Sequence, residues 1–125
     1  MVSLIFSGDF APLVPLSETN KDHFSAINDL LSGADLHITN LECPLTSSDQ
    51  KTEKTGPHIK ADREAAALLP QAGVDIVCLA NNHIFDYGEK GIIDTIKICE
   101  EINIETLGIV SRHDGKAQWI IREIK

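Results

Sequence analysis

The run VDIVCLANNHIFDYG at residues 74–88 decides the fold prediction, because an almost wholly apolar segment passes directly into a polar turn. Val74 to Ala80 has the composition of a central strand in a parallel sheet, which is buried on both faces. The turn from Asn81 to Gly88 follows, and apolar residues at helical spacing then predict a helix from Gly91 to Ile102. A strand followed by a turn and a helix is typical of an α/β domain.

The same alternation extends in both directions from this unit. Further strands are predicted at Val2–Ser7, Ala34–Leu41, Ile104–Val110 and Ala117–Ile124, and further helices at Lys21–Leu31, where Asn20 could be the cap, and Arg63–Leu69. We therefore predict one domain over residues 1–125, with a mostly parallel sheet, Val74–Ala80 at or near its centre and helices on both faces. The last strand alternates apolar and polar residues, which suits the edge of the sheet.

Charge and composition exclude several classes of function. The chain has 19 acidic and 11 basic residues and a formal charge of -8, which argues against nucleic acid as a partner. Cys43, Cys78 and Cys99 form no CxxC pair, so neither a disulfide framework nor a zinc-thiolate site is expected. The first residues lack the pattern of a signal peptide, and no apolar run has the length of a membrane span. As written, the sequence predicts a soluble, cytoplasmic protein.

Polar residues collect where the predicted strands end. In parallel sheets, ligands bind beyond the carboxyl ends of the strands. Carboxylate, amide and imidazole groups would be brought together there, a set that suits Mg, Mn or Zn. These residues are Asp9 after the first strand, Asn40 and Glu42 after the second, and Asn81, Asn82, His83 and Asp86 after the third.

Each of these residues also has a structural interpretation. Asp9 could cap a turn, and Asn40 and Asn82 could occupy turn conformations that Asn tolerates. His83 alone could be structural. Glu42 lies between two apolar residues and should need a polar partner if it is buried.

Asp86 and Gly88 are better explained as the cap and tight turn that open the next helix than as metal ligands. The long polar loop from Cys43 to Lys60 has a length that is more often functional than idle. The basic residues of this loop and the nearby Arg63 are taken as solvated; the loop bases are Lys51, Lys54 and Lys60. Three histidines lie apart from the strand ends and are assigned structural roles: His23, His37 and His113.

The same residues carry a resemblance to a known family. Gly8-Asp9, Thr39 to Pro44, Ala72 to Asp75 and Leu79 to Gly88 follow one another in order, with Gly91 and Thr95 after them. In these blocks the chain resembles the bacterial capsule-synthesis family linked to poly-γ-glutamate, the CapA-like proteins. That family is similar to calcineurin-like metallophosphoesterases, and the Leu-Ala-Asn-Asn-His block is the most specific part of the match.

The resemblance implies roles for individual residues. Asp9 and Glu42 would be metal-binding carboxylates, Asn82 an amide ligand and Asn40 a weaker one. His83 would lie near a scissile phosphate and protonate the leaving oxygen. The expected cofactor is a weakly bound divalent metal (Mn, Mg or Zn).

Two departures qualify that expectation. Ala11 stands where phosphoesterases place a histidine, and the histidines of the second half of such a domain have no counterparts. The resemblance therefore implies the N-terminal half of a metallophosphoesterase-like layered domain, completed by a missing half or by a homodimer. It leaves two functions open: a metal-dependent phosphoester hydrolase or transferase, and a non-catalytic accessory subunit that binds metal or polyanion. Relatives in this family are often membrane-associated or extracytoplasmic.

Overall fold

The computed structural model describes residues 1–13, 23–110 and 115–124. Within these ranges the elements alternate along the chain, and 3₁₀ turns at Ser25–Ile27 and Arg63–Ala67 lead into the first two helices. The strands are β1 (Leu4–Phe10), β2 (Leu36–Leu41), β3 (Ile76–Cys78) and β4 (Glu105–Leu107), and the helices are α1 (Asn28–Leu31), α2 (Leu68–Gln71) and α3 (Gly88–Glu101).

The four strands form one parallel sheet in the order β1-β2-β3-β4. The predicted α/β class is confirmed. Strand β3, from the apolar run at residues 74–80, lies inside the sheet with β2 and β4 on its two sides. Val77 of β3 is fully buried, as its apolar neighbours in the sequence indicate. Each pair of neighbouring strands is joined by a helical crossover, as parallel strands require.

All three helices pack against the same face of the sheet, so the prediction of helices on both faces is wrong. Leu31 of α1, Leu69 of α2 and Ile98 of α3 belong to a single core cluster that also contains Val77 of β3. The reason is the strand order. Each right-handed crossover moves one strand further in the same direction, and this places every helix on the same side. The hydrophobic pattern of a strand does not reveal that order.

The opposite side of the sheet has an apolar and incompletely covered region, which we call the open face. It consists of Leu4, Phe6, Leu36 and Ile38, which the strand register places together. Phe6 is 70% exposed and Leu4 is 49% exposed, and none of the four belongs to the core cluster.

A β-bulge in β1 determines which side of the sheet Asp9 faces. Phe6 pairs with Ile38, but Asp9 pairs with Asn40, so Ser7 and Gly8 together oppose one residue of β2. Side chains alternate between the faces of a strand, and one extra residue reverses that alternation. The bulge therefore places Asp9 on the same side as Asn40 rather than on the helix-covered side.

The predicted helices are shorter or shifted in the structure. Only the last residues of the predicted Lys21–Leu31 helix are helical, and Asn20 lies outside the described residues. Pro70 lies inside α2, one residue beyond the end of the predicted Arg63–Leu69 helix. It is tolerated because it belongs to the first turn of a helix that begins at Leu68, where backbone N–H groups have no helical partner.

The predicted fifth strand, Ala117–Ile124, is wrong for the residues described. Ala117 makes a single antiparallel bridge to Val110, and the rest of the segment is not a strand. Arg122 forms an ion pair with Glu105 of β4, so a side-chain contact holds the segment near the sheet edge. Because the segment does not pair as a strand, its alternating apolar residues are not buried against the sheet. Trp119 and Ile121 are each 78% exposed.

Candidate functional site

An open cleft of about 760 Å³ lies beyond the carboxyl ends of the four strands. Asp9 comes from the end of β1, Asn40 and Glu42 from the end of β2, and Asn82 from the turn after β3. The backbone after β4 closes the cleft at Gly108–Val110. Four of the predicted site residues therefore line one cleft.

Asn40 joins the two carboxylates of this cleft. Its side-chain nitrogen donates to Asp9 Oδ1 at 2.7 Å and to Glu42 Oε2 at 2.6 Å. The two oxygens therefore lie no further apart than the sum of these distances. This geometry depends on the bulge, which turns Asp9 toward Asn40, and on strand alternation, which places Asn40 and Glu42 on the same side of β2.

Asn81 holds Asn40 and the following turn in place. Its amide nitrogen donates to Asn40 Oδ1 at 3.1 Å and to the Leu41 carbonyl oxygen at 2.8 Å. Its amide oxygen accepts from the backbone N–H groups of His83 and Ile84 at 3.0 and 2.9 Å. Because Asn40 Oδ1 is engaged with Asn81, its amide nitrogen is the group directed at the carboxylates.

His83 does not line the cleft, and its ring contacts the long loop instead. Nδ1 lies 2.8 Å from Asp86 Oδ2 and 3.3 Å from Lys54 Nζ. Lys54 also forms an ion pair with Asp86 Oδ1. One ring nitrogen cannot both donate to Asp86 and accept from Lys54, and the shorter contact favours donation from Nδ1 to the carboxylate. Nε2 is then the ring nitrogen left for other partners.

Asp86 is fully buried and anchors this group of side chains. Burial acts to raise its pKa, but hydrogen bonds from Lys54, His83 and the Ile59 backbone N–H outweigh that effect and the pKa is lowered. The carboxylate is therefore charged at neutral pH and fully paired. Gly88, two residues later, has a φ of 64°, a left-handed conformation that glycine adopts without strain as α3 begins.

The long loop is fixed to the turn after β3 by the same residue. The Thr52 backbone N–H donates to the Asp86 carbonyl oxygen at 3.0 Å, and the Ile59 N–H donates to Asp86 Oδ2 at 2.8 Å. Lys60 lies 4.9 Å from the centre of the Tyr87 ring. Lys54 and Lys60 are each only 23% exposed at their side chains, so these two bases are packed and paired rather than solvated.

Two of the three cysteines, Cys43 and Cys99, are buried and unreactive. All three are free. Burial, with smaller effects of the Glu42 and Asp86 charges, raises the pKa of the Cys43 thiol to about 12, and burial followed by the Glu100 charge does the same for Cys99. These thiols stay protonated at neutral pH and are not thiolate ligands.

The sequence places Asn81 among the strand-end residues without giving it a role, and it does not indicate a role for Lys54. Nothing in the spacing shows that Lys54 reaches Asp86 from a distant loop. In residues 1–13, 23–110 and 115–124, no three His, Cys, Asp or Glu side chains lie close enough together to hold a metal ion. A metal in the cleft would therefore rely on Asp9 and Glu42 together with amide oxygens and water.

Comparison with known proteins shows which family the chain belongs to. The profile of the family described as bacterial capsule synthesis protein PGA_cap matches residues 3–125, nearly the whole chain. The chain belongs to this family. The matched region contains every residue of the cleft, including Asp9, Glu42 and Asn82.

Two curated relatives are similar to the chain. The capsule biosynthesis protein CapA of Bacillus anthracis is 33% identical over 88 residues, which cover 68% of this chain and 21% of that protein. The PGA biosynthesis protein CapA of Bacillus subtilis (strain 168) is 26% identical over 105 residues, which cover 83% of this chain and 28% of that protein. The chain thus matches only 21% and 28% of the length of these two relatives. Among the residues described, no helix is both long and apolar enough to cross a membrane.

Proposed function

We propose that this chain serves capsule biosynthesis, as the names of its relatives suggest, and that its cleft is a divalent-metal site for phosphoester hydrolysis or phosphoryl transfer. The observation that carries the proposal is the convergence of the Asp9 and Glu42 carboxylates on a single amide nitrogen. Two carboxylate oxygens so close together in an open cleft offer a cation the hard donors that Mg and Mn prefer.

Asp9 and Glu42 would hold the ion, with Asn82 as an amide ligand from the turn after β3. A bound divalent ion would activate water and neutralise charge on a phosphoryl oxygen. Asn40 would act by positioning the two carboxylates, since its own oxygen is engaged with Asn81. With two carboxylates as its charged ligands the site should bind the ion weakly, a sparse set that Mg tolerates because it keeps several waters.

His83 is the proposed proton donor to the leaving oxygen. Donation from Nδ1 to Asp86 fixes the orientation of the ring and leaves Nε2 for proton exchange. Asp86 would hold the imidazole as a positioning residue, and Lys54 would balance the charge of Asp86. For His83 to reach a substrate in the cleft, the substrate must extend past the Asn82 turn toward the long loop.

A second candidate function is a non-catalytic accessory role in which the cleft binds metal or polyanion. Two observations favour it: the described residues contain no cluster of three charged or imidazole ligands, and His83 lies outside the cleft lining. On this alternative, completion of a catalytic site would require another copy of the chain or a further part of a longer protein.

Metal binding is the first test. We expect Mn²⁺ titration followed by electron paramagnetic resonance to show weak binding that is lost in Asp9→Asn and in Glu42→Gln. Glu53→Gln is the matched control, since Glu53 is an exposed loop carboxylate and the charge change is the same. Equal binding by all four proteins would reject the metal site.

Turnover is the second test and separates the two functions. We expect the purified chain to hydrolyse a chromogenic phosphodiester slowly or not at all with added Mn²⁺. Any turnover should fall in Asn82→Ala and His83→Ala. Metal binding without turnover favours the accessory role, whereas robust turnover abolished by both substitutions establishes the catalytic one.

A further inference from the structure

A serine and a histidine form a pair near the bulge of β1, outside the cleft lining. The Ser7 hydroxyl lies 2.9 Å from His37 Nε2 across the β1–β2 pair. The other ring nitrogen, Nδ1, lies 3.0 Å from the carbonyl oxygen of Ala72, in the turn between α2 and β3. The His37 residue is buried, with 3% of its surface exposed, whereas Ser7 is exposed.

The Ala72 carbonyl fixes the tautomer of His37. A carbonyl oxygen can only accept a hydrogen bond, so Nδ1 carries a proton. In the neutral ring, Nε2 is then the unprotonated nitrogen, and it accepts from the Ser7 hydroxyl. A hydroxyl on a histidine whose second nitrogen is held by a third group is the arrangement that activates a serine nucleophile.

Ser7 is accessible because it lies on β1, an edge strand whose residues are mostly exposed. Ser7 and Gly8 together oppose one residue of β2, and bulges commonly redirect a side chain beside an active site. The hydroxyl therefore stands at a sheet edge that solvent reaches, while its base is enclosed by the core.

We propose that Ser7 is a nucleophile that accepts an acyl group from small activated carboxylic esters, with His37 as its general base. Ser7 Oγ bonds to the ester carbonyl carbon as its proton passes to His37 Nε2. The ester C–O bond then breaks, and the alcohol leaves with that proton. Water attacks the acyl-serine by the same route, releasing the carboxylic acid and restoring the Ser7 hydroxyl. This activity is independent of the metal function proposed above.

The test is covalent labelling with a fluorophosphonate probe, mapped by mass spectrometry. Ser7 Oγ forms a bond to phosphorus and fluoride leaves. We expect label on Ser7 in the folded protein and none after unfolding in urea. Ser7→Ala should abolish labelling, and His37→Gln should slow it by about 100-fold or more, the usual contribution of a general base.

Ser3→Ala is the matched control, because Ser3 is another exposed serine next to β2 whose hydroxyl contacts Asp35 and the Gly33 carbonyl but no histidine. It should leave labelling unchanged. If circular dichroism shows that His37→Gln does not fold, the proposal is still tested by comparing the labelling of Ser7 in the folded and the unfolded wild-type protein. No label on Ser7 in the folded protein, or equal label on Ser3 and Ser7, would overturn the proposal.

Discussion

Asn40 stands between two carboxylates and donates to both, so its role can be tested by the replacement of one heavy atom. In Asn40→Asp the donor is lost and a third negative charge enters the cleft. In chelator, we expect the free energy of unfolding to fall by about 1–2 kcal/mol. The loss is no larger because solvent in the open cleft screens the repulsion among the three carboxylates. Added Mn²⁺ should recover it, since three carboxylates bind a cation better than two.

Thermal unfolding with EDTA and with Mn²⁺ measures this effect. Asn28→Asp makes the same change on α1, outside the cleft lining, and should show no Mn²⁺ dependence beyond that of the wild type. If Mn²⁺ stabilises the Asn40→Asp protein no more than the control, the two carboxylates do not form a cation site.

Asp86 is the residue whose loss should cost most. Its carboxylate is buried and pairs with Lys54 and His83, so Asp86→Ala leaves buried polar groups without their partner. We expect a loss of about 3–5 kcal/mol in urea unfolding, the usual cost of breaking a buried pair. Asp49→Ala, which removes the exposed partner of Lys60, should change stability little. Similar effects of the two substitutions would contradict the anchoring role of Asp86.

The lowered pKa of Asp86 also predicts how stability depends on pH. A carboxyl group with a lower pKa in the folded state stabilises the fold above its unfolded pKa of about 3.9. That contribution is lost as the pH falls through the folded pKa. We expect the free energy of unfolding to drop below about pH 4 in the wild type and to fall less steeply in Asp86→Asn. Equal slopes would show that Asp86 contributes no linkage.

At the scale of elements, the ends of β3 and β4 approach each other closely at Gly108. A Cβ added there would lie 2.8 Å from both the backbone nitrogen and the Cβ of Ala80, and the φ of Gly108 is 99°. Gly56 has a φ of 100° with nothing within 4 Å, so it isolates the cost of the backbone conformation. We expect Gly108→Ala to be less stable than Gly56→Ala by about 1–3 kcal/mol in urea unfolding. Equal losses would mean that the strand ends can separate freely.

The elements also show which parts of the fold can be predicted from the sequence. The apolar run at Val74–Ala80 predicts a strand because burial on both faces leaves a direct mark on composition. Strand order leaves no such mark, and for this reason the side on which the helices pack was predicted wrongly. The bulge at Ser7–Gly8 was not predicted, because Gly8 directly follows the predicted strand Val2–Ser7 and glycine is also common in the turn that ends a strand.

The candidate site likewise has contacts that could be predicted from the sequence and contacts that could not. Asp9, Asn40, Glu42 and Asn82 could be placed near one another because strand ends meet at one edge of a parallel sheet. The contact of His83 with Lys54 could not, because it depends on the path of a long loop that has no periodic pattern.

At the scale of the whole molecule, the open face predicts self-association. Phe6 and Leu4 expose apolar surface on a sheet, and such surface tends to be covered by a partner. We expect sedimentation velocity to show a dimer at high concentration, with twofold symmetry the simplest closed arrangement. Phe6→Glu should shift the protein to monomer, whereas Ile93→Ser, at an exposed apolar residue of α3, should not. A monomer at all concentrations would count against this prediction.

The bulge in β1 makes the cleft depend on the number of residues in a strand as well as on their identity. If the same residues paired without the bulge, Ser7 would oppose Thr39 and Gly8 would oppose Asn40, so Asp9 would oppose Leu41 and face the helices. Every cleft residue would still be present in the sequence, yet the two carboxylates would lie on opposite sides of the sheet. Loss of the bulge should therefore be tolerated only together with the loss of one residue between Phe6 and Asp9, because that deletion leaves Asp9 opposite Asn40.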